Sequence, residues 1–334
     1  MLNLHLQNKK PKPNEMTETR VLITGVNGQI GTVLKKKLAI KFGAENIFSS
    51  DIRLEDNIEK NEFNLDVLDK DKLFSIIEKY KITQIYHLAA LLSGVAEKKP
   101  QMAWRINTEG LVYVLEAARI YKLDKIFAPS SIAVFGEGID KDFTSQHSEL
   151  LPSSIYGISK VANELWHKYY FEKHNIDVRS IRYPGIIGYS SLPGGGTTDW
   201  AVEIFHEAVK NNHYNCFLKA DTTLPMILMS DALKATIDIM DAPKEDIKIR
   251  TSYNLGSQSF SPAQITNLIR KYQPDFEVDY KPDFRQAIAD SWPKVIDDND
   301  ARKDWSWNPE FGMEEMVEIM YTNIKKIYSS EKIS

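Results

Sequence analysis

The sequence predicts an α/β protein with a doubly wound parallel sheet and a smaller, interleaved lobe. Short apolar runs alternate with longer segments of helical periodicity between residues 20 and 181, and a glycine-rich turn follows the first apolar run. Strands that alternate with helices require right-handed crossovers, and these give a parallel sheet covered by helices on both faces. The two observations together define the fold class.

Length and apolar periodicity indicate the type of each element. The first run, RVLIT at 20–24, is short and mostly apolar, as a buried strand requires. The segments predicted as strands are 20–24, 46–50, 84–88, 125–128, 177–181 and 253–256. The segments predicted as helices are 30–38, 73–80, 104–121, 155–174 and 201–210.

The turn after the first strand reads GVNGQIG over 25–31 and opens a helix. Gly25 permits a tight turn, Gly28 lets the backbone approach a pyrophosphate, and Gly31 lets the helix pack closely on the sheet. Free N–H groups at the helix start then face the phosphates. The residues of this turn predicted to contact a dinucleotide are Gly25, Asn27, Gly28, Gln29, Ile30 and Gly31.

Asp51 follows the second predicted strand, at the usual distance beyond the turn for a ribose-binding acid. A carboxylate there hydrogen-bonds the adenosine ribose hydroxyls and repels a 2′-phosphate, which favours NAD over NADP. Arg53 complicates this assignment, because a nearby arginine could accommodate that phosphate.

Tyr156 and Lys160 are spaced to share one face of a helix, in the segment YGISK. A free phenol is too weak an acid to serve as a base at neutral pH, and a nearby ammonium stabilises the phenolate. Ser130 and Ser131 follow the strand KIFA, so they lie at the carboxyl end where doubly wound sheets bind ligands. The tyrosine and lysine alone indicate little, but together with the turn and the serines they predict a catalytic site.

The alternation of strands and helices ends after Pro184. A loop rich in glycine and proline follows, GIIGYSSLPGGGTTDW over 185–200. We expect a disordered leader over 1–19, an NAD-binding Rossmann domain over 20–184 with a returning strand near 253–256, and a mostly substrate-binding lobe over 185–334. The leader lacks the apolar core of a secretory signal. A weak mitochondrial presequence and a second start at Met16 stay open.

Composition excludes several other classes. The 334 residues carry a net charge of −4, so no positive field favours nucleic acid or an acidic membrane. Cys216 is the single cysteine, which excludes an internal disulfide and a cysteine-rich zinc site. No apolar run reaches the roughly 18 residues of a membrane span. We expect a cytoplasmic location, with the mitochondrial matrix as the alternative.

The combined motifs resemble the extended short-chain dehydrogenase/reductases over the chain from about residue 20. The matching segments are GVNGQIG at 25–31, Asp51, HLAA at 87–90, Asn107, SSIAVFG at 130–136 and YGISK at 156–160. The resemblance implies that Ser131 positions a substrate hydroxyl, Tyr156 removes its proton, and Lys160 holds the nicotinamide ribose of NAD. It also implies cofactor contacts from Ile52, Arg53, Asp66, Leu88, Ala89, Ala90, Leu91, Asn107 and Tyr183.

Within this superfamily the chain is similar to the short-chain L-threonine 3-dehydrogenase family. The matching segments are LLSG at 91–94, PSSIAVFG at 129–136, RYPGII at 182–187, GGGTTD at 194–199, LPMILMSDAL at 224–233 and SWP at 291–293. The resemblance implies oxidation of L-threonine to 2-amino-3-oxobutyrate, functionally coupled to a 2-amino-3-oxobutyrate CoA ligase. It makes Ser93, Thr197 and Thr198 candidates for binding the amino acid, and Trp292 for closing over it. Plain core packing is the alternative for Trp292 and Trp305.

Two other functions stay open. A nucleotide-sugar epimerase or dehydratase would need cations for a diphosphate, and we expect Arg250, Lys281 and Arg285 to be solvated surface residues instead. This chain also lacks the asparagine that sugar enzymes commonly carry after the sixth strand. A regulator that binds the cofactor without turnover is disfavoured by the intact serine, tyrosine and lysine. A metal site is disfavoured by the histidine spacing, and His87 is expected to be structural.

The resemblance also predicts the oligomeric state. Family members pair through helices that correspond to about 100–121 and 155–174. We therefore expect a homodimer, with no nucleic acid and no membrane as partner.

Overall fold

The computed structural model of the protein describes residues 18–331, apart from Ser191, Pro193 and Gly195. Most of the predicted leader, residues 1–17, lies outside the described residues, as do two residues of the LPGGG segment. Within the described part of the chain, no helix is both long and apolar enough to cross a membrane.

The described part of the chain contains fourteen strands. In chain order they are β1 (Val21–Thr24), β2 (Ile47–Asp51), β3 (Glu62–Asn64), β4 (Gln84–His87), β5 (Lys125–Phe127), β6 (Ser130–Ser131), β7 (Val178–Arg179), β8 (Ile181–Tyr183), β9 (Gly185–Ile187), β10 (His213–Cys216), β11 (Leu224–Leu228), β12 (Tyr253–Asn254), β13 (Gln258–Phe260) and β14 (Glu277–Tyr280).

The α-helices alternate with these strands in the first half of the chain. In chain order they are α1 (Gln29–Phe42), α2 (Lys70–Lys79), α3 (Ser93–Lys98), α4 (Pro100–Trp104), α5 (Gly110–Tyr121), α6 (Ile155–His174), α7 (Trp200–Asn211), α8 (Met229–Asp241), α9 (Pro262–Ile269), α10 (Arg285–Ser291), α11 (Asn299–Trp305) and α12 (Met313–Glu331). A π-helical turn, Arg105–Glu109, joins α4 to α5.

The central sheet has the order β3-β2-β1-β4-β5-β7, and all of its strand pairs are parallel. The chain order reverses between β1 and β4, which creates a crevice at their carboxyl ends where such sheets bind ligands. The predicted doubly wound α/β class is therefore confirmed.

Helices cover both faces of this sheet because its strands are apolar on both sides. Val21 and Ile23 of β1 belong to a core with α1 and α8, whereas Leu22 belongs to a core with α2 and α5. The predicted helix over 30–38 lies within α1, and its Leu34 and Leu38 are completely buried. The predicted helix over 73–80 corresponds to α2, whose buried face consists of Leu73, Ile76 and Ile77.

The predicted strand over 177–181 is two strands in the structure, β7 and β8, interrupted at Ser180. β7 pairs with β5, whereas β8 pairs with β6, so the partner changes at the interruption. Pro129 separates β5 from β6 and has no amide hydrogen to donate to a ladder. The predicted strand near 253–256 is β12, which pairs in parallel with β8.

The residues after 184 add two smaller sheets, of order β13-β11-β9 and β10-β14. A third core, which includes Trp200, Phe205, Phe260 and Met320, packs between these sheets and the helices α7, α9 and α12. This core also contains Val134 and Phe135, from the segment that follows β6. The domain boundary at 184 stays a prediction.

Candidate active site

Two adjoining cavities form a continuous groove at the carboxyl ends of β1 and β4. Their volumes are about 250 Å³ and about 350 Å³. Both are lined by residues of the glycine turn and of the segment after β4, and the residues they share are Gly25, Gly28, Leu88, Ala90 and Leu92. We call the larger cavity the acidic end, because Asp51 and Asp66 line it, and the smaller cavity the tyrosine end, because Tyr156 lines it.

The glycine turn between β1 and α1 has no room for side chains at two positions. Gly25 has φ +71°, and a Cβ there would lie 2.7 Å from the Ala89 amide nitrogen. A Cβ on Gly31 would lie 2.7 Å from the carbonyl oxygen of Gly25. The turn is closed by the Gly28 amide, which donates to the Gly25 carbonyl at 3.0 Å. The first N–H groups of α1 therefore face the groove without intrahelical acceptors, as an anion requires.

Asp51 links the glycine turn to Arg53 at the acidic end. Its carboxylate accepts from the Asn27 amide at 3.1 Å, from the Arg53 amide at 3.0 Å and from Arg53 Nε at 3.0 Å. Burial acts to raise the pKa of Asp51, but these hydrogen bonds outweigh it and hold the pKa below its usual value. Asp51 is therefore a carboxylate at neutral pH, and Arg53 is already paired with it.

Most residues predicted to contact the cofactor line the groove, although their roles stay predictions. Asn27 and Asn107 are not among the described lining residues. The predicted residues that do line it are Gly25, Gly28, Gln29, Ile30, Gly31, Asp51, Ile52, Arg53, Asp66, Leu88, Ala89, Ala90, Leu91, Tyr156, Lys160 and Tyr183. Four apolar lining residues, Leu65, Val67, Val95 and Ile106, were not predicted. Three of them are direct neighbours of the predicted Asp66 and Asn107 in the chain.

Asn107 lies behind the groove in the π-helical turn, and it is 2% exposed. Its side chain accepts from the Leu91 amide at 2.8 Å and donates to the Leu91 carbonyl at 3.1 Å. Asn163 of α6 in turn donates to the Asn107 carbonyl at 2.9 Å. Asn107 thus fixes the backbone that lines the groove, as a residue that braces the site would.

Tyr156 and Lys160 lie in the first turns of α6 at the tyrosine end. Ser154 caps this helix by accepting from the Gly157 amide at 3.1 Å. Lys160 Nζ donates to the Pro129 carbonyl at 2.7 Å and lies 5.6 Å from the centre of the Tyr156 ring. Ser131 lies close enough to Tyr156 to lower the tyrosine pKa, and both line the tyrosine end. The structure thus brings the three predicted catalytic residues together.

Burial dominates the electrostatics of this site. It raises the pKa of Tyr156 to about 12, against which the Ser131 side chain acts. It lowers the pKa of Lys160 to about 8, against which the charge of Glu164 acts. Tyr156 is thus a neutral phenol at neutral pH in the protein alone, whereas Lys160, with a pKa of about 8, is still mostly charged. A positive charge close to Tyr156 favours its phenolate.

The residues predicted to bind substrate line the tyrosine end, namely Ser93, Ser131, Tyr156, Thr197, Thr198 and Trp292. Trp292 is 7% exposed; it belongs to the third core and also forms part of the cavity wall. Trp305 packs on Tyr253 and Trp307 in another core and does not line the cavity. Both tryptophans therefore pack in a core, and Trp292 has the cavity contact in addition. Gly196 and Asp199 also line the cavity and were not predicted, although both lie in the GGGTTD segment.

The three cations considered for a diphosphate are not among the described residues that line either cavity. The expectation of a solvated surface is wrong for Arg250, whose side chain is 9% exposed and contacts Asp177 at 2.7 Å. Arg285 is partly covered, because it stacks on a phenylalanine ring and pairs with Asp283. Lys281 is exposed, as expected.

The fold and the site together define an extended short-chain dehydrogenase/reductase. The chain belongs to the NAD dependent epimerase/dehydratase family, whose family model matches residues 21–256.

Relatives support this family at the level of the whole chain. An uncharacterized epimerase/dehydratase of Staphylococcus haemolyticus is 44% identical over 92% of this chain and 98% of that protein. The solved GalE-like L-threonine dehydrogenase from Cupriavidus necator, in its holo form, is 46% identical over 92% of this chain and 100% of that chain, with a TM-score of 0.89. A solved monomeric L-threonine 3-dehydrogenase from a metagenome is 45% identical over 92% of this chain and 99% of that chain, also with a TM-score of 0.89.

Proposed function

We propose that this protein is an NAD-dependent L-threonine 3-dehydrogenase. The observation that carries the proposal is the tyrosine end itself. There Ser131, Tyr156 and Lys160 share a cavity of about 250 Å³ with Thr197 and other small polar side chains. The similarity to solved proteins named L-threonine dehydrogenases supports this assignment.

The residues of the groove fit a dinucleotide. The glycine turn leaves a cradle that a Cβ at Gly25 or Gly31 would fill, and a helix start faces it. Asp51 offers a carboxylate to the ribose hydroxyls at the acidic end, where it would repel a 2′-phosphate. Arg53 pairs with Asp51 through Nε and Nη2, so a 2′-phosphate that approached this arginine would also meet the Asp51 carboxylate. These features favour NAD over NADP.

Tyr156, Ser131 and Lys160 have separate roles in the oxidation of the alcohol. The chemistry that bound NAD⁺ supplies is acceptance of a hydride from the threonine β-carbon, which leaves a ketone. Tyr156 takes the proton of the β-hydroxyl, and Ser131 holds that hydroxyl in position. Lys160 stabilises the phenolate form of Tyr156 by its charge. The product, 2-amino-3-oxobutyrate, would then be the substrate of a CoA ligase.

A nucleotide-sugar epimerase or dehydratase is the alternative. Among the described residues that line the tyrosine end, Lys160 is the single cation. A diphosphate needs more positive charge than this, since phosphates are bound by arginine, lysine or helix starts. The site therefore favours a small amino acid over a nucleotide sugar.

The test is NADH formation from L-threonine and NAD⁺, with NADP⁺, L-allo-threonine and L-serine compared in parallel. We expect turnover with L-threonine and NAD⁺. We also expect Tyr156→Phe to lower kcat by about 10²–10⁴-fold or more, because general base catalysis contributes on that order. NAD⁺ binding by the variant, measured by calorimetry, should persist.

Absence of turnover with L-threonine despite NAD⁺ binding would overturn the substrate assignment. UDP-sugars would then be the next substrates to assay. If no substrate turned over, a cofactor-binding regulator would be the better interpretation.

We further propose a homodimer formed through α4, α5 and α6. Several large apolar side chains on these helices are at least one-third exposed, namely Met102, Trp104, Ile120, Ile158, Leu165 and Tyr169. Ile158, Leu165 and Tyr169 recur on one face of α6, as an interface stripe requires. One similar solved protein is named monomeric, so the state needs measurement.

Sedimentation at micromolar concentration tests the dimer. We expect a dimer for the wild-type chain and a monomer for Leu165→Glu, because a charge buried in an apolar interface is costly. Lys168→Glu, on the same helix at an exposed ion pair, is the matched control and should remain dimeric. A wild-type monomer would refute the proposal.

A further inference from the structure

A buried ion pair lies directly behind the tyrosine end and has no part in the chemistry described so far. Glu164 of α6 is 1% exposed and Arg182 of β8 is 3% exposed. Arg182 contacts the carboxylate with two nitrogens, Nε at 2.9 Å and Nη2 at 2.8 Å. Burying two charges is costly, and an apolar pair of similar volume often stabilises a protein at least as well. Stability alone therefore gives a weak reason for this pair.

The pair is connected to the catalytic residues through both of its elements. Glu164 lies one helical turn after Lys160, so the two side chains share a face of α6. Ser130 Oγ donates to Glu164 Oε1 at 2.7 Å, and Ser130 directly precedes Ser131 on β6. In the ladder between β6 and β8, Ser130 pairs with Arg182.

The described titratable groups near Lys160, apart from Glu164 and Asp199, supply no negative charge. Asp199 also lines the tyrosine end, where it accepts from the Gly196 amide at 2.7 Å. Burial lowers the pKa of His87 to about 3 and that of His167 to about 4, so both imidazoles are neutral at physiological pH. Tyr156 is a neutral phenol in the protein alone, because burial raises its pKa. Glu164 is thus the carboxylate whose charge acts on Lys160.

The remaining contacts of Arg182 hold it against Glu164. Its Nη1 donates to the Gln146 carbonyl and to Asn254 Oδ1, each at 3.0 Å, and its guanidinium lies 5.3 Å from the Phe135 ring centre. Arg182 therefore supplies the counter-charge that makes a buried carboxylate tolerable at this place.

We propose that Glu164 is a positioning residue of the active site, which keeps the Lys160 side chain charged and fixes the strand end that carries Ser131. This inference rests on the proposed function only for the role of Lys160 in turnover. The electrostatic part concerns the protein alone and can be measured without substrate.

The decisive experiment titrates Lys160 by NMR in protein labelled at the lysine ε-carbon, with Lys160→Arg used to assign the signal. The wild-type midpoint should lie near pH 8, where burial places it. In Glu164→Gln the midpoint should fall by about one pH unit or more, as expected for loss of a nearby opposite charge. An unchanged midpoint in the folded variant would overturn the proposal.

Asp177→Asn is the matched control. Asp177 is another buried carboxylate, paired with Arg179 and Arg250, but it precedes β7 at the amino end of the sheet, opposite the groove. Its variant loses the same charge in a comparable setting. The Lys160 midpoint should remain at the wild-type value, and an equal fall in both variants would count against a specific role for Glu164.

Arg182 loses its one carboxylate partner in Glu164→Gln and becomes a buried charge without a counter-charge, which could prevent folding. The double variant Glu164→Gln/Arg182→Met removes both charges and avoids this problem. Its Lys160 midpoint should also fall, because Glu164 is the group that favours the lysine charge. A folded double variant with the wild-type midpoint would refute the proposal.

The pH profile of threonine oxidation provides the functional readout. As the pH rises, kcat of Glu164→Gln should begin to decline at a lower pH than kcat of the wild type. The KM for NAD⁺ at pH 6 should stay close to the wild-type value. If the wild-type enzyme did not oxidise threonine, the NMR result would still stand, so the two failures can be told apart.

Discussion

Single side chains in this protein take their roles from the partner they meet. Asp51 accepts hydrogen bonds from the backbone of the glycine turn and from Arg53. One carboxylate thus fixes the turn and forms an ion pair with the nearby arginine. Tyr156 lies beside Ser131 in the cavity, and Lys160 donates to the Pro129 carbonyl. Asp51 and Lys160 are each held in one orientation by a second group.

Replacing Asp51 with alanine should shift cofactor preference toward NADP⁺. The variant loses the carboxylate that would bind the ribose, and it releases Arg53 to meet a 2′-phosphate. We expect kcat/KM with NAD⁺ to fall by about 10–100-fold, since hydrogen bonds to charged groups contribute roughly 1.5–3 kcal/mol.

Initial rates with both cofactors measure this preference. Asp56→Asn, which removes an exposed carboxylate paired with Lys72 nearby, is the control and should keep the preference for NAD⁺. An Asp51→Ala enzyme that still favours NAD⁺ as strongly as the wild type would contradict the assigned role.

At the scale of elements, helix starts and turns place the chemistry. The turn from β1 into α1 requires close contact between backbones, and the start of α6 is fixed by the Ser154 cap. The π-helical turn carries Asn107 toward Leu91, whose backbone lines the groove. π-helical turns are frequent at functional sites because they redirect a side chain without ending the helix.

Gly31→Ala should weaken cofactor binding with little loss of fold. The new Cβ would lie 2.7 Å from backbone atoms of Gly25 and Val26, so the turn must move away from α1. Overpacking of this kind costs about 1–3 kcal/mol, and part of that cost should appear in binding. We expect a rise of about tenfold or more in the NAD⁺ dissociation constant, measured by calorimetry.

Gly312→Ala serves as the control, since its Cβ would meet only an ordinary contact at 3.5 Å. It should leave NAD⁺ binding unchanged. If Gly31→Ala bound NAD⁺ like the wild type, the close packing at the turn would have no bearing on the cofactor.

At the scale of the whole molecule, three apolar cores bury polar residues that must stay neutral. His87 hydrogen-bonds Thr24 at 2.9 Å and His167 lies 3.1 Å from the Thr251 carbonyl, and both imidazoles are at most 5% exposed. The expectation that His87 is structural agrees with this burial. Folding therefore opposes protonation of two histidines at once.

This opposition predicts acid-sensitive stability. The pKa of His87 falls from 6.5 when unfolded to about 3 when folded, chiefly through burial. The unfolded chain thus binds more protons below pH 6.5, so stability is complete above that pH and declines as the pH falls toward the folded value. Between pH 7 and 5 the unfolding free energy should drop by about 2 kcal/mol for each buried histidine.

Urea unfolding at a series of pH values measures this slope. In His87→Asn the unfolding free energy should change less steeply between pH 6.5 and 5, because unfolding of the variant takes up about one proton fewer. This difference in slope does not depend on the effect of the substitution on absolute stability. His147→Asn, at an exposed site, should leave the slope unchanged. Equal slopes in the wild type and His87→Asn would show that His87 is not the group responsible.

The sequence alone determined the parts of this protein that depend on neighbours along the chain. The apolar runs, the glycine turn after β1 and the spacing of Tyr156 and Lys160 are local patterns, and in combination they predict the fold class and the site. The whole of α6 was predicted at its observed bounds, Ile155–His174, because a long periodic segment leaves little choice. Most residues of the candidate site followed from these motifs.

Only the tertiary structure decided which distant residues meet. It placed Trp292 where its core also forms the cavity wall and Trp305 in a core away from that cavity, buried Arg250 against Asp177, and joined Glu164 to Arg182 behind the site. An isolated tryptophan or arginine looks the same in sequence whether it is buried or solvated. Its environment is fixed by strand pairing and helix packing between segments far apart in the chain, and no local pattern records that pairing.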